Sequence, residues 1–402
     1  MRYMCFLLFV ILYLASCSKD NIVTPAQTFN LTVNNGYGSG TFQVGKTVHL
    51  WSVAYDSTQT FGEWTGDISF LDRPKEWHTT MIMPNQNISV TAVVDDMPTY
   101  AITYEVIEGF NNPKNVYYFF PTNPIGVIYL FHGTGGDAGG FIRGVEMRSF
   151  TNAAIAAGYA IVSTEGEEIT LDQDIDGDGE RRFMTHPIDT VNNIDYRNIK
   201  IITDEFISRG WMTYNTPRFS IGMSAGSNFS AAFSSIWNLT GVGYCSRAQN
   251  TGFDSRLSPF AYRLARYDDN SSYNYPLGLD QAMANIAELE SRGICNDLYE
   301  NDRQPIYPER FARVPGISVA NSIAIHNELL TNNQINSDGY ALNSSIIQAN
   351  VFANPDDYPT IVNFVSQGIT GMVSQIRASN AEHSFYSDYN YGSLSFFNNQ
   401  CE

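Results

Sequence analysis

The chain has 402 residues, with 41 acidic against 23 basic side chains and a formal net charge of −18. Lys and Arg are scattered rather than clustered, which argues against a nucleic-acid partner, since phosphates call for a concentrated basic face. The length suits more than one domain at about 150 residues each, and past the first residues no stretch reaches the roughly 20 apolar positions that a membrane span takes.

The N-terminus comes first in chain order. Arg2 and the apolar run 5–15 (CFLLFVILYLA) read as a secretory signal. Leu14-Ala15-Ser16-Cys17 then reads as a lipobox, with 1–17 removed or acylated and Cys17 carrying lipid. An ordinary signal peptide with an incidental Cys is the other reading. The box resembles that of bacterial lipoproteins. Ser18 stands where some of them carry a retaining Asp, which implies an outer-membrane, surface-exposed anchor held by lipid alone. Residues 18–28 are polar and read as a tether. Of the five cysteines, Cys245, Cys295 and Cys401 remain for the folded chain. One disulfide among them is expected in an oxidising compartment, with one thiol left over and the pairing open.

Residues 29–96 read as a small all-β unit. Leu31, Val33, Phe42, Val44, Val48, Leu50 and Val53 alternate with polar residues, and Gly36, Gly38, Gly40 and Gly45 mark turns. A core this thin suits a β-sandwich-like module. The segments GSGTFQVGKTVHL, FGEWTGD (61–67) and MIMPNQNISVTAVV (81–94) resemble the internalin-type B-repeat, which implies a spacer or adhesion role. His49 and His78 are expected as surface strand residues without chemistry.

After Asp95-Asp96-Met97-Pro98 the period changes. Strands are expected at 125–131, 159–163, 218–222 and 262–267, and helices at 148–157, 195–209 and 225–236. Such alternation predicts an α/β fold, a mostly parallel sheet with helices on both faces, over 97–402. Sites in that architecture gather at the C-terminal strand ends.

Gly222-Met223-Ser224-Ala225-Gly226 lies at such a strand-to-helix junction. A tight turn there lifts a Ser hydroxyl above the sheet, and flanking glycines keep the backbone uncrowded. The N–H of Ala225 would face an oxyanion, helped by the helix N-terminus. Phe131-His132-Gly133-Thr134-Gly135-Gly136 follows the first strong strand, where a second oxyanion donor is expected. Thr134 N–H is the first candidate and Gly133 the next, with His132 structural. No Gly-Lys-Ser/Thr follows, so this is not a phosphate-binding P-loop. The base must be a His placed after the Ser and the acid. His383, late and beyond a helix, is preferred to His326, which is expected on a helix surface. For the acid, Asp268 is first choice and Asp269 second, while Asp280, Asp297 and Asp302 stay open.

HGTGGDAGGF, IGMSAGSNFSAA and the late His together resemble the α/β-hydrolase superfamily, and more narrowly secreted esterases of the feruloyl-esterase and polyhydroxyalkanoate-depolymerase type. The resemblance covers roughly 100–400. It implies a Ser224–His383–Asp268 triad that cleaves a carboxylic ester through an acyl-enzyme and requires no cofactor. Hydroxycinnamoyl or acetyl esters on polysaccharide are the expected substrates. A serine peptidase, or a surface binding protein with a degenerate hydrolase domain, is the competing reading.

Two further stretches stand out. Asp172, Asp174, Asp176 and Asp178 alternate with Gly177 and Gly179, as in a structural Ca²⁺ loop. Phe183 stands where an EF-hand has its last Glu, so a solvated acidic turn is the alternative. Segment 305–380 reads as helices (308–313, 319–330 and 360–377) inserted before His383, in a position to cap the site.

Overall fold

The computed structural model describes residues 27–53, 59–97, 99–245, 257–270 and 274–399. The leader with Cys17, nearly all of the tether, and Cys401 lie outside them. Among the described residues no helix is long and apolar enough to cross a membrane.

Two strand-rich units make up the chain. In the first, β1 (Thr28–Asn34), β2 (Gly36–Tyr37), β3 (Gly40–Gln43), β4 (Thr47–Ser52), β5 (Gln59–Gly66), β6 (His78–Ile82) and β7 (Ile88–Asp96) form two sheets, ordered β3-β1-β7-β5 and β2-β4-β6. Leu31, Val33, Leu50, Trp64 and Val90 fill the space between them. In the second, β8 (Thr103–Ile107), β9 (Lys114–Phe119), β10 (Val127–Phe131), β11 (Ala160–Ser163), β12 (Arg218–Met223), β13 (Thr240–Tyr244), β14 (Phe260–Ala265) and β15 (Asn296–Asn301) form one sheet, ordered β15-β14-β13-β12-β10-β11-β9-β8. Pairing is parallel from β11 across to β15 and antiparallel at β8 and β9. This is the α/β-hydrolase arrangement.

The central strands are buried at every residue of β10, β11, β13 and β14. That follows from helices covering both faces, which makes parallel strands read as unbroken apolar runs. Strand periodicity divides the core: Tyr129 and Phe131 face one helical layer, Ile128 and Leu130 the other.

Three elements are not evident from the sequence. β13 (TGVGY) lacks a strand-like composition, because a Cβ on Gly241 would come within 2.6 Å of Ser234 Oγ and 2.8 Å of the Phe260 ring. β15 is polar and half-exposed because it is the sheet edge. Helix Tyr275–Ser291 joins β14 to the edge strand β15. In the insertion, the expected first helix is a short 3-10 turn at Arg310–Arg313. The last is split into Pro359–Asn363 and Val365–Ser379, and Ser344–Ala353 is an additional helix. Together with Val319–Thr331 they enclose a separate core of Phe311, Ile325, Leu329, Ile347 and Ile376.

The two units are joined by a polar, aromatic seam. Trp51, Trp77 and Tyr307 form a shared cluster. Trp51 Nε1 donates to Gln304 Oε1 at 2.7 Å, and Trp77 Nε1 to the Ser387 carbonyl at 2.7 Å. Glu76 accepts from the N–H groups of Tyr391 and Gly392. His78 is 3% exposed, and its Nδ1–H donates to Asp388 Oδ1 at 2.7 Å. The sequence reading of His78 as a surface residue is therefore corrected, and His49, hydrogen-bonded to it at 3.0 Å, is largely covered too. Alternation identified the polar face of β4 and β6, but not that a second unit covers it.

Trp77 sits under the Arg313 guanidinium, 4.3 Å from its ring centroid. Trp77→Ala is expected to destabilise the whole chain by about 3–5 kcal/mol. Urea unfolding followed by tryptophan fluorescence and far-ultraviolet circular dichroism checks this, with both probes shifting together.

Candidate active site

The strand β12 ends in a turn whose geometry is set by contact distances. Ser224 has φ 56° and ψ −123°, outside the ordinary regions for a residue with a side chain. Such a conformation costs about 1–3 kcal/mol and persists only where the surroundings enforce it. Here they do. A Cβ on Gly222 would lie 1.9 Å from the Gly226 carbonyl oxygen, and one on Gly226 would lie 2.2 Å from the Phe131 carbonyl oxygen. Only glycine allows helix Ala225–Trp237 to approach β12 and β10 this closely. Its serines continue the seam: Ser220 Oγ meets Ser230 Oγ at 2.6 Å and Ser234 Oγ at 2.8 Å. The Ser224 N–H donates to the Tyr244 carbonyl at 2.9 Å, which fixes the turn to β13.

Three side chains from distant positions meet there. Ser224 Oγ–H donates to His383 Nε2 at 2.9 Å. His383 Nδ1–H donates to Asp268 Oδ2 at 2.7 Å. The direction follows because a carboxylate only accepts, which leaves Nε2 as the acceptor. Asp268 lies just past β14, is 5% exposed, and takes a second hydrogen bond from the Asn270 N–H at 3.1 Å. Asp269 instead accepts from Asn343 of the insertion. Asp297 pairs with Arg263, and Asp302 with Arg266. His326 is corrected: it is buried in the insertion, hydrogen-bonded to the Ile306 carbonyl at 3.1 Å, rather than on a surface.

Gly133 rests against the Ser, its Cβ position 3.1 Å from Ser224 Cβ. The N–H groups of Thr134 and Ala225 have no acceptor among the described residues. His132 holds the loop, with Nδ1–H donating to the Gly133 carbonyl at 2.8 Å and Nε2 accepting from Gly166. Burial pushes its pKa down to about 4, so the ring is neutral. Cys245 is a free, buried thiol near Asp268 and His383, with its S–H donating to the Ser384 carbonyl at 3.2 Å. Burial, and then the Asp268 charge, push that thiol well up, so it stays protonated and is no rival nucleophile. Cys295 is disulfide-bonded, which excludes Cys245 from the pair.

The acidic loop braces the same region. Gly135 N–H donates to the Arg181 carbonyl at 2.8 Å, and Thr134 Oγ1 to Glu180 at 3.1 Å. Of the four candidate Ca²⁺ ligands, Asp174 and Asp176 converge with Glu168, with one oxygen of each within 4.8 Å of the others. Asp172 pairs with Arg181, and Asp178 with Arg182. Three carboxylates are an oxygen set of the kind Ca²⁺ takes. Glu168, however, already accepts from the N–H groups of Ile175, Asp176 and Arg182.

Residues invisible to motif reasoning hold the His segment. Glu146, buried in helix Val145–Ala156, accepts from Arg313 Nη1 at 2.7 Å, Gln375 at 2.8 Å and the Ser387 N–H at 3.0 Å, with Arg310 at 3.3 Å. Nothing local marks Glu146, since its partners lie far along the chain.

No protein-family model matches the chain, and no curated protein matches it. Similar solved structures include an α/β serine hydrolase without lid from Xanthomonas campestris, at 12% identity and TM-score 0.36 over 51% of this chain and 84% of that one. A dienelactone hydrolase from Anabaena variabilis is similar at 14% identity and TM-score 0.35, over 50% and 87%. A ferulic acid esterase is similar at 10% identity and TM-score 0.34, over 50% and 89%. Likenesses this slight decide nothing about chemistry, which rests on the geometry of the site.

Two substitutions probe that geometry. Gly226→Ala forces a methyl group into the Phe131 carbonyl and is expected to cost about 3 kcal/mol or more. Glu146→Ala leaves two buried guanidinium groups uncompensated, with an expected cost of about 3–5 kcal/mol. Chemical denaturation of each variant beside the parent measures both.

Proposed function

We propose that this protein is a serine hydrolase that cleaves carboxylic esters through an acyl-enzyme on Ser224. One observation carries the reading: a continuous hydrogen-bonded chain from Ser224 Oγ through His383 to Asp268, at 2.9 and 2.7 Å, at the head of a strained elbow. No structural role requires a half-buried imidazole aligned between a hydroxyl and a carboxylate above a sheet.

In this reading Ser224 Oγ attacks the ester carbonyl while His383 Nε2 takes its proton. Asp268 fixes the ring tautomer and stabilises the imidazolium that forms. The N–H groups of Ala225 and Thr134, otherwise unengaged, hold the oxyanion. His383 then gives the proton to the departing alcohol. Water, activated by the same ring, releases the acid and restores Ser224. Every proton moves between His383 and a reacting oxygen, so the steps call on no cofactor.

The substrate class proposed is a hydroxycinnamoyl or acetyl ester carried on polysaccharide. Support comes from the leader and lipobox pattern ending at Cys17, which gives a cell-envelope, outer-membrane location where such polymers are met.

Labelling with a fluorophosphonate, followed by peptide mass spectrometry, tests the reading. The parent is expected to label at Ser224, and Ser224→Ala and His383→Ala to lose the label. Asp268→Asn is expected to lower kcat on nitrophenyl acetate by about 10³–10⁴-fold. Turnover of peptide amides without turnover of esters would instead make this a peptidase. A parent that does not label sinks the proposal.

A further inference from the structure

A cleft of about 540 Å³ opens between the first unit and the β15 edge of the main sheet. That volume falls in the range of small-ligand sites, roughly 300–1,000 Å³. One of its walls is tied to the triad through the backbone. Tyr267, in its wall, immediately precedes Asp268, and its N–H donates to the Ala381 carbonyl at 2.9 Å, two residues before His383.

The cleft presents a hydrogen-bonding group that the fold does not use. His49 lines it at the end of a chain: Asp388 accepts from His78 Nδ1–H at 2.7 Å, and His78 Nε2 accepts from His49 Nδ1–H at 3.0 Å. Since Asp388 only accepts, both tautomers are fixed, and His49 Nε2 is left as an acceptor without a partner among the described residues. Burial lowers the pKa of His49 to about 3, which keeps that nitrogen unprotonated. Asn301, 1% exposed, lies in the wall behind this surface, and its buried Nδ2 has no hydrogen-bond partner among the described residues.

The charges and rings narrow the ligand. Arg73, Arg303, Glu300 and Asp302 also line the cleft, two cations and two anions, so neither a bare anion nor a cation is favoured. Tyr267, 50% exposed, and Tyr340 offer ring surface, with the Arg303 guanidinium 5.3 and 5.8 Å from their centroids. Rings beside a rim of mixed donors and acceptors suit a molecule with an apolar face and a border of hydroxyl groups, each of which both donates and accepts. An acyl chain would leave the His49 acceptor unpaired.

We propose that this cleft binds a short chain of neutral sugar residues. On the ester-hydrolase reading, on which this purpose alone rests, it holds the glycan while the ester reaches Ser224.

Isothermal titration calorimetry on the Ser224→Ala protein tests it, with xylotetraose and cellotetraose as probes and tetragalacturonate as the charged contrast. Saturable binding of a neutral probe is expected, weakened about tenfold or more in His49→Ala and in Tyr267→Ala. Tyr267 is exposed enough that its truncation leaves the unfolding midpoint in place, which separates lost binding from lost folding. No saturable binding by either neutral probe overturns the proposal. So does an unchanged Kd in both variants, or tighter binding of tetragalacturonate. Fluorophosphonate labelling of the parent is run in parallel. Binding that the variants lose, together with an unlabelled Ser224, keeps the cleft and removes the hydrolase reading.

Discussion

The structure depends on delivering one imidazole to one hydroxyl after a long excursion. His383 follows the whole insertion and lies in no helix or strand. A segment of that kind is ordinarily mobile. Here the residues just after it are held from three directions. Glu146 takes the Ser387 N–H, Trp77 donates to the Ser387 carbonyl, and His78 donates to Asp388. Glu76 then takes the N–H groups of Tyr391 and Gly392. A buried ionic cluster such as Glu146 with Arg310 and Arg313 returns little net stability, because desolvation offsets the attraction. What it supplies is a single arrangement, since each alternative strands a buried charge.

The elbow and the clamp are complementary solutions to one problem. The elbow holds Ser224 by exclusion: backbone packs against Gly222 and Gly226 so closely that the turn has no room to relax. The clamp holds the segment after His383 by attraction, through directional hydrogen bonds that are largely buried. Strain on one side and satisfied polarity on the other meet in a 2.9 Å hydrogen bond. The insertion contributes to the clamp, since Arg310, Arg313 and Gln375 converge on Glu146, and its Asn343 takes up Asp269 beside the triad acid.

The first unit is thereby more than a spacer. Its β4 and β6 face supplies Trp51 and His78 to the seam, and His49 to the neighbouring cleft. The same face that steadies the loop after His383 forms a wall of that cleft. Separation of the two units would expose that wall and release the loop together.

Much of this was legible in the residues themselves. The Gly-x-Ser-x-Gly turn, the His-Gly loop and the alternation of apolar runs with helices are local patterns, and local sterics and periodicity dictate them. Ser224, the sheet and its two helical layers follow from short-range constraints of that kind. So does the two-sheet character of the first unit. What was not legible depends on contacts between distant positions. Asp268 is distinguished from Asp269, Asp297 and Asp302 only by where β14 ends relative to His383. β13 escaped notice because its glycines answer to the Phe260 ring and Ser234 rather than to strand propensity. His78 read as a surface residue because burial of a polar face by a second unit leaves no periodic trace. Glu146 carried no signal at all. Sequence determines which local shapes the chain can take; tertiary packing decides which charged and polar groups lose their water together, and that loss is what turns ordinary residues into parts of a site.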